Sequence, residues 1–346
     1  MTNEFFRLIG DDLIECLACN WKCKISKNKV GVCGVRANID GKLELLVDNK
    51  AIGLWPDPVE KKPLFHFLPG SKALSLGTMG CNFGCAFCQN WFQSQAVKGL
   101  NRKTGKIRAL INKSSSDAKP DQIVKLAKMM GCQSVAYTYN EPAVFVEYAL
   151  KTMKLAKKAG LKNIWVSNGF ESDKTVKEII AYVDAINIDI KSISDKFYQN
   201  ICKAKIEPVL KNIKKIFKAG VWLEITSLII PDENDSQKEM KQIADFITGV
   251  DKNIVWHVTA FHPDYKMKNK QATSLEKLKQ AWQIGKEAGL NYVYVGNVID
   301  DEHSQTKCPN CNNLVIERNG FGKTRLVGMK AGRCGKCGQK IAGVWS

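Results

Sequence analysis

The sequence predicts an α/β fold in which a partial barrel of parallel strands is flanked by two small cysteine-rich segments. Short apolar runs alternate with helical patterns in the middle of the chain, which is the order expected of parallel strands joined by right-handed crossovers. Six such units are enough for a partial barrel. Cysteines cluster near both ends and after the first barrel strand. We therefore divide the chain into residues 1–62, 63–300 and 301–346.

The predicted barrel strands are short apolar, β-branched or aromatic runs, as expected of buried parallel strands: Leu74–Thr78, Ser134–Tyr139, Asn163–Ser167, Ala185–Ile190, Trp222–Ile229 and Val255–Ala260. Three predicted helices begin at a proline and end before a glycine, the residues that favour those positions: Pro120–Met130, Pro142–Ala159 and Pro208–Ala219. Ligands of parallel α/β folds bind at the carboxyl ends of the strands. Polar residues that follow these strands are therefore candidate site residues.

Length and composition exclude several classes of protein. The chain has 346 residues, of which 45% are hydrophobic and 25% charged, so a collagen, a coiled coil or a fully disordered chain is not expected. It has no run of 18 apolar residues, and Met1–Asp12 lacks the pattern of a signal peptide. We therefore expect a cytoplasmic protein, in which 13 cysteines indicate metal or redox chemistry. Cys132 and Cys202 stand apart from the clusters and are interpreted as small buried hydrophobes.

The C-terminal cluster consists of two CxxC pairs, Cys308 with Cys311 and Cys334 with Cys337, separated by 22 residues. Two such pairs can close four thiolates around one tetrahedral ion. A segment this short buries little core, so a metal would supply much of its folding energy. The spacing predicts a zinc-ribbon-like domain over residues 301–346, with zinc favoured over an iron–sulfur cluster.

The N-terminal cluster, Cys16, Cys19, Cys23 and Cys33, has the spacing C-x2-C-x3-C-x9-C. Four thiolates this close in sequence can surround one ion or one cluster. Zinc and an auxiliary 4Fe–4S cluster are both chemically reasonable. The spacing therefore predicts a metal-binding domain over residues 1–62 and leaves its metal open.

The central cluster has only three cysteines, Cys81, Cys85 and Cys88, on a loop that follows the first predicted barrel strand. Three thiolates can hold three irons of a cubane and leave the fourth iron an open coordination position, which a catalytic metal site needs. Gly80 and Gly84 would let the backbone approach a bulky cluster. The loop is therefore the candidate catalytic centre.

The segment CNFGCAFC, Cys81–Cys88, resembles the CxxxCxxC motif of radical S-adenosylmethionine (SAM) enzymes. Later segments resemble the pyruvate formate-lyase-activase-like branch of that superfamily, in the same order: Tyr137–Pro142, Ser167–Phe170, Asp184–Lys191, Glu224–Asp235 and Trp256–Asp264. The resemblance implies a TIM-like partial (β/α)6 radical SAM barrel. It also implies a 4Fe–4S cluster on the three central cysteines and SAM as the second cofactor.

Three further segments resemble one subfamily, the AmmeMemoRadiSam radical SAM enzymes: Asp57–Gly70, Cys88–Trp91 and Gly296–Val298. The subfamily is named for its co-occurrence with Memo-like and AMMECR-like proteins, so the resemblance implies these as partners, together with a reducing electron donor. The resemblance covers nearly the whole chain. The chain departs from it in a longer basic segment, Lys98–Lys119, which is interpreted as a lid, a docking arm or a disordered insertion.

The resemblance also implies which residues bind SAM: Asn140, Glu141, Asn168, Asp189, Lys191 and His262. Structural interpretations of the same residues stay open. Asn140 and Glu141 fit the N-terminal cap of a helix that begins at Pro142 equally well. The Asp189 and Lys191 side chains can form a structural ion pair. His257 could face either the cavity or the core, and His66 and His303 are interpreted as ordinary residues.

The implied reaction is one-electron oxidoreductase chemistry carried by cofactors. A reduced 4Fe–4S cluster would cleave SAM to methionine and a 5′-deoxyadenosyl radical, which abstracts hydrogen from a protein, peptide or small-molecule substrate. The net charge of +18 supports one alternative, a radical SAM enzyme that modifies RNA, although no RNA-binding motif is present. The second alternative is a non-catalytic, metal-stabilised binding protein, and the three-cysteine loop counts against it. No membrane partner is expected.

Overall fold

A computed structural model describes residues 5–100, 103–320 and 323–346 of the chain. Its N-terminal segment forms a three-stranded antiparallel sheet and a separate hairpin. The strands of the sheet are β1 (Phe6–Gly10), β2 (Leu13–Cys16) and β3 (Lys24–Ser26), and those of the hairpin are β4 (Arg36–Ile39) and β5 (Lys42–Leu45). Cys16 ends β2 and Cys23 directly precedes β3, whereas Cys19 and Cys33 lie in the loops that connect the strands.

A nine-stranded sheet forms the centre of the described chain. Its strands are β6 (Lys50–Pro58), β7 (Lys72–Gly77), β8 (Ser116–Asp117), β9 (Ser134–Tyr137), β10 (Lys162–Ser167), β11 (Ala185–Asp189), β12 (Trp222–Ile229), β13 (Val255–Ala260) and β14 (Val293–Gly296). They lie in the order β14-β13-β12-β11-β10-β9-β7-β6-β8. From β7 to β14, neighbours in the sheet are parallel, whereas β6 runs antiparallel to β7 and to β8.

The α/β class with a mostly parallel sheet is therefore confirmed. All six predicted strands are present, and β12 and β13 have the predicted bounds. The seventh parallel strand, β14, was not predicted. Strand β6 falls within the predicted N-terminal segment but pairs with β7 of the central sheet.

Helices cover the connections between the strands: α1 (Trp91–Gln95), α2 (Thr104–Ser114), α3 (Pro120–Met129), α4 (Val146–Lys158), α5 (Asp173–Ile179), α6 (Asp195–Phe197), α7 (Glu207–Lys218), α8 (Gln237–Val250) and α9 (Leu275–Glu287). The three predicted helices are α3, α4 and α7, and a 3₁₀ turn over Pro142–Phe145 precedes α4. Gly131, Gly160 and Gly220 follow them with φ of +67°, +77° and +78°, the left-handed conformation that ends a helix. None of the helices in the described part of the chain has the length and hydropathy that a membrane crossing requires.

The basic segment Lys98–Lys119 is ordered where the structure describes it, and residues 101–102 lie outside the described ranges. Helix α2 buries Ile107 and Ile111 in the main core. Arg108 forms an ion pair with Glu44 of β5. The short strand β8 then extends the central sheet. The described residues thus form a packed helix and an edge strand, and the disordered-insertion interpretation is wrong for them.

The segment between β6 and β7 closes the end of the barrel at which the parallel strands begin, and we call it the floor (residues 59–71). Leu64 and Phe67 of the floor are buried against Ala73, Ala136 and Ile164 of the first strands. This apolar packing closes that end of the barrel. Space for a ligand is therefore left at the opposite end, where the strands terminate.

A buried carboxylate fixes the floor to the strands. Glu224 of β12 accepts hydrogen bonds from the backbone nitrogens of Phe65 and His66, at 2.9 Å and 2.8 Å. Its Oε2 also lies 2.7 Å from Nε2 of His257 on the neighbouring strand. His257 therefore belongs to the core, on the side away from the candidate active site.

The C-terminal segment packs against the outside of the floor. It contains β15 (Thr306–Lys307), β16 (Leu314–Arg318), β17 (Thr324–Leu326), β18 (Met329–Lys330) and β19 (Arg333–Cys334). The buried Arg318 donates to the Phe65 carbonyl at 2.7 Å. The His66 ring donates through Nδ1 to the Ala342 carbonyl, while its Nε2 accepts from the Tyr294 hydroxyl, both at 2.6 Å. His66 of the floor is thus connected to the C-terminal segment and to strand β14.

The burial of His66 predicts a loss of stability in acid. Burial of the ring lowers the pKa of His66 to about 4, whereas an unfolded histidine has a pKa of about 6.5. Because the unfolded chain binds the proton that the folded chain excludes, stability is complete above about pH 6.5 and falls as the pH drops toward 4. We expect this residue alone to lower the free energy of unfolding by about 2 kcal/mol between pH 7 and pH 5.

Urea unfolding at both pH values tests this expectation. The variant His66→Gln should lose less stability than the wild type over the same interval. Metal content is measured at each pH so that loss of a bound metal is not mistaken for protonation. An unchanged pH dependence in the variant would contradict the assignment.

Candidate active site

Cys81, Cys85 and Cys88 line one cavity of ≈ 400 Å³ at the carboxyl ends of the barrel strands. The loop that carries them follows β7, and the cavity is also lined by the loops after β9, β10 and β11. Cys81 and Cys85 are buried, and Cys88 is partly buried. The fold therefore brings the three central cysteines to the edge where ligands of parallel α/β folds bind.

Backbone hydrogen bonds from another part of the chain shape this loop. Gly84 and Ala86 donate to the carbonyls of Cys202 and Ile201, at 2.8 Å and 3.0 Å. The two acceptors belong to a single π-helical turn, Tyr198–Cys202. Such turns are rare and are often found at functional sites. Here the turn supplies the acceptors that hold the middle of the three-cysteine loop.

The N-terminal segment holds the start of the same loop. Gly80 has φ of +87°, and a Cβ at this position would lie 2.6 Å from the Cys33 carbonyl oxygen. The indole nitrogen of Trp21 donates to the Asn82 carbonyl at 2.9 Å. The expected reason for Gly80 was the approach of a bulky cluster to the backbone. The structure gives a different reason, because the backbone of the N-terminal cysteine cluster occupies the space a side chain would need.

The three thiols are in surroundings that favour the neutral form. Burial raises the pKa of Cys81 to about 12 and also raises the pKa of Cys88. A hydrogen bond with the Cys202 thiol, followed by burial, raises the pKa of Cys85. Because a metal binds the thiolate, ligation would release protons from this loop. Cys202 is buried as expected, but it contacts Cys85 and is therefore not an isolated thiol.

Asn140 and Glu141, predicted to bind SAM, both line the cavity. The side-chain amide of Asn140 donates to the Gly80 carbonyl at 2.6 Å and to the Thr78 hydroxyl at 3.1 Å, and it accepts from the Thr78 nitrogen. Glu141 accepts from the Ala143 nitrogen at 3.0 Å, which is the capping interaction considered above. Asn140 thus supports the turn before Cys81, and Glu141 caps the 3₁₀ turn while facing the cavity.

Glu141 is buried close to a second carboxylate. Its oxygens accept from the Ser167 hydroxyl at 3.0 Å and from the Asn168 nitrogen at 2.8 Å. The Ser167 hydroxyl is also within hydrogen-bond distance of Glu171, and its single proton can be donated to only one of the two carboxylates at a time. Burial, and then the charge of Glu171, raise the pKa of Glu141 to about 8. A ligand ammonium beside Glu141 would favour the ionised carboxylate and lower this pKa again.

The remaining predicted SAM residues are divided between two cavities. Asn168, Asp189 and Lys191 line the main cavity with the cysteines. Lys191 forms an ion pair with Asp189 at 3.0 Å. This contact is compatible with the interpretation of the two side chains as a structural ion pair. His262 is exposed and lines a shallower cavity of ≈ 380 Å³ beside the first, next to Asn297.

The main cavity also contains residues that the sequence analysis did not assign. Among them are Lys61 and Lys62 of the floor, Tyr139, and two threonines on the barrel strands, Thr226 and Thr259. The two lysines belong to a segment that carried the subfamily resemblance, but no local pattern predicts a role for them. Tyr139 directly precedes Asn140, a predicted SAM residue, and this adjacency is the sequence feature that points to Tyr139 as a cavity residue.

The four C-terminal thiols form a compact group. All four sulfur atoms lie within 4.8 Å of one another, and this is the sole group of that kind in the described ranges. Cys308 is 3.6 Å from Cys337, and Cys311 is 3.6 Å from Cys334, sulfur to sulfur. A tetrahedral zinc with Zn–S bonds of about 2.3 Å places its sulfurs about 3.8 Å apart. The predicted four-cysteine group is therefore present, with spacing that fits a single ion.

The four N-terminal thiols are near one another but less compact. Burial raises the pKa of Cys19, and the neighbouring thiols of Cys16, Cys23 and Cys33 raise it further. The buried Arg36 donates to the Cys16 sulfur at 3.1 Å. Arg36 is also paired with the Glu147 carboxylate, at 2.7 Å and 2.6 Å, so it can orient the Cys16 sulfur through a hydrogen bond while its charge is already balanced.

Residues 76–247 match the family model of the radical SAM superfamily, and the chain belongs to this superfamily. It is 38% identical over 339 residues to an uncharacterised protein of Methanocaldococcus jannaschii, with 97% of each chain covered. It is 21% identical to the pyruvate formate-lyase-activating enzyme of Clostridium pasteurianum, over 60% of this chain and 87% of that enzyme. Among solved structures, Streptococcus suis SuiB bound to S-adenosylmethionine has 14% identity and a TM-score of 0.49, covering 69% of this chain and 53% of that one.

Membership of the superfamily implies an enzyme that binds an iron–sulfur cluster and SAM. The expected similarity to activating enzymes is confirmed, because two such enzymes are among the relatives, although both are distant. One of them is the (2S)-3-sulfopropanediol dehydratase activating enzyme of Klebsiella oxytoca, 27% identical over 33% of this chain and 36% of that enzyme.

Proposed function

We propose that the protein uses a 4Fe–4S cluster on Cys81, Cys85 and Cys88 to cleave SAM reductively and to abstract hydrogen from a substrate. The observation that carries the proposal is the single cavity at the strand ends that contains all three thiols and five of the six predicted SAM residues. When bound, the two cofactors supply a 5′-deoxyadenosyl radical. Three cysteines on one loop leave an open position on the metal, which a closed structural site would lack.

The residues of the cavity would bind SAM and exclude water. Glu141, once ionised, can accept hydrogen bonds from the ammonium group of SAM. Asp189 can accept from ribose hydroxyls, and Lys191 can donate to the SAM carboxylate or ribose. His262 at the rim would contact the ribose side. Asn140 and Asn168 support these groups by hydrogen bonds to Gly80 and Asn82, so we expect them to act chiefly by positioning.

Two further metal sites are part of the proposal. The spacing of the C-terminal thiols supports zinc in a structural, zinc-ribbon-like role. The N-terminal thiols would hold zinc or an auxiliary 4Fe–4S cluster. That segment contacts the loop of Cys81 at Gly80 and Asn82, so its metal would also stabilise the active site.

We further propose that the protein belongs to the AmmeMemoRadiSam group and acts in the cytoplasm with Memo-like and AMMECR-like partners and a reducing electron donor. The support is the resemblance over nearly the whole chain. The described basic surface is rich in lysine, so RNA is the alternative substrate, and salt-dependent binding of RNA would favour it over a protein, peptide or small molecule.

The decisive experiment measures 5′-deoxyadenosine released from SAM without oxygen. The protein is reconstituted with iron and sulfide and reduced with dithionite. We expect release by the wild type and a loss of at least about a thousandfold in Cys85→Ala, because removing a thiolate ligand removes the cluster on which the chemistry depends. Iron content is measured in parallel.

Cys202→Ala is the matched control, because it removes the thiol that contacts Cys85 without removing a proposed ligand. We expect it to keep both iron and SAM cleavage. If Cys202→Ala lost iron as Cys85→Ala does, the loop would be a closed four-thiolate site and the non-catalytic alternative would be correct. The non-catalytic alternative would also be correct if the wild type bound iron at this loop but released no 5′-deoxyadenosine, with or without candidate partner proteins.

A further inference from the structure

The main cavity continues below the proposed SAM site to the floor of the barrel. Lys62 and Pro63 of the floor line the same cavity as the three cysteines. The Lys62 side chain is only 3% exposed, although it carries a charge. A buried ammonium needs a physical explanation, because removing its charge from water is unfavourable.

Asp57 at the end of β6 supplies part of the explanation. Its Oδ2 accepts hydrogen bonds from Lys62 at 2.8 Å, from the Ser75 hydroxyl at 2.8 Å and from the Tyr139 hydroxyl at 3.1 Å. Despite the opposing effect of burial, the hydrogen bond and charge of Lys62 lower the pKa of Asp57 to about 2. Asp57 is therefore ionised, and it fixes Lys62 in one position.

Asp57 does not satisfy Lys62 completely. An ammonium group has three N–H donors. Within the described residues, Lys62 has one acceptor, Asp57, and its charge lies 5.4 Å from the centre of the Tyr139 ring. Two of the three N–H donors of Lys62 are therefore available to a ligand in the cavity.

The walls above Lys62 leave room for a small molecule. Val166, Thr226 and Thr259 line the same cavity as Lys62. These side chains are small or moderate in size, and both threonine hydroxyls already donate within the sheet, to Asn187 and to the Ser227 carbonyl. A substrate bound here would lie between Lys62 and the proposed site of radical formation, where hydrogen abstraction must occur.

We propose that Lys62, held by Asp57 and Tyr139, binds an anionic oxygen group of a small substrate, a carboxylate or a phosphate. The inference rests on the proposed function, since it assigns the lower cavity to the substrate of the same site. It names the substrate class: a small anion whose reacting C–H bond points toward the cysteine loop. Hydrogen bonds between charged groups give Lys62 the strength to select such a molecule.

The test is a binding measurement that does not depend on SAM cleavage. Trifluoroacetate serves as the probe, and its ¹⁹F NMR relaxation is recorded with oxidised, iron-reconstituted protein in the presence of SAM. Trifluoroacetamide is the neutral comparison. We expect trifluoroacetate to bind and trifluoroacetamide to bind at least about tenfold more weakly, because a hydrogen bond to a charged group is stronger than one to a neutral group.

Lys62→Met should weaken trifluoroacetate binding about tenfold or more. Lys241→Met, on the exposed face of α8, is the matched control and should bind as the wild type does. Because Lys62→Met leaves Asp57 unpaired, the double variant Asp57→Asn with Lys62→Met is measured too, and it should also lose binding. Inorganic phosphate added as a competitor shows whether phosphate or carboxylate is preferred.

Equal binding of the two probes, or binding by both Lys62 variants within twofold of the wild type, would overturn the inference. Failure of the proposed function would look different. In that case anion binding would still depend on Lys62, while no 5′-deoxyadenosine would be released from SAM. The two proposals can therefore fail separately.

Discussion

Replacing Glu224 with alanine is expected to lower the free energy of unfolding by about 3–5 kcal/mol, because several buried donors would be left without an acceptor. Glu224 is fully buried, and its two oxygens accept from the Phe65 and His66 nitrogens and from the Trp222 indole. Its Oε2 also contacts His257 at 2.7 Å. Alanine would leave these donors buried without an acceptor. The floor would then lose its main polar connection to the strands.

The size of this effect depends on the ionised state of Glu224. Burial opposes ionisation, but the hydrogen bond and charge of His257 hold the pKa of Glu224 below its ordinary value. Glu224→Gln keeps one oxygen acceptor and removes the charge, so it should be destabilised by a smaller amount than Glu224→Ala. The measurement is urea unfolding followed by circular dichroism at pH 7.

Glu287→Ala is the matched control, because Glu287 is exposed on α9 and contacts only Gln283 within the described residues. A surface change of this kind should alter the free energy of unfolding by less than about 0.5 kcal/mol. If Glu224→Ala were no more destabilising than Glu287→Ala, the floor would be held by its apolar contacts alone. The predicted ranking of the three variants therefore tests the role of the carboxylate directly.

Local sequence patterns were sufficient to predict the barrel and its proposed cofactor edge. Strands β12 and β13 were predicted with the observed bounds because runs rich in apolar, β-branched and aromatic residues are recognisable as buried parallel strands without tertiary information. The glycines after α4 and α7 were equally informative, since Gly160 and Gly220 adopt the left-handed conformation of a helix end. Most predicted SAM residues then meet in one cavity because parallel strands end on the same side of a sheet.

Residues whose role depends on distant contacts could not be predicted in this way. Cys202 has no cysteine near it in sequence, and only the π-helical turn brings it to Cys85. Lys62 is one of two adjacent lysines, and nothing local distinguishes it from a surface residue. Its burial follows from the path of the floor beneath the barrel and from the position of Asp57 on β6.

Gly80→Ala is expected to disturb the three-cysteine loop and to lower the free energy of unfolding by about 2–4 kcal/mol. Two effects add at this residue. A non-glycine residue is strained at φ of +87°. In addition, the new Cβ would lie 2.6 Å from the Cys33 carbonyl oxygen and 2.7 Å from a methyl group of Val35. Because Cys81 follows directly, we also expect less than half of the wild-type iron at the central site.

Gly220→Ala separates the two effects. Gly220 has φ of +78° but no atom within 4 Å of the position its Cβ would occupy. It should therefore show only the backbone cost, about 1 kcal/mol, with iron content and SAM cleavage unchanged. If Gly80→Ala proved no worse than Gly220→Ala in stability and iron content, contact with Cys33 would not constrain the loop. The expected difference instead means that the N-terminal cysteine segment sets the backbone position of Cys81, so that loss of its metal would also weaken binding of the catalytic cluster.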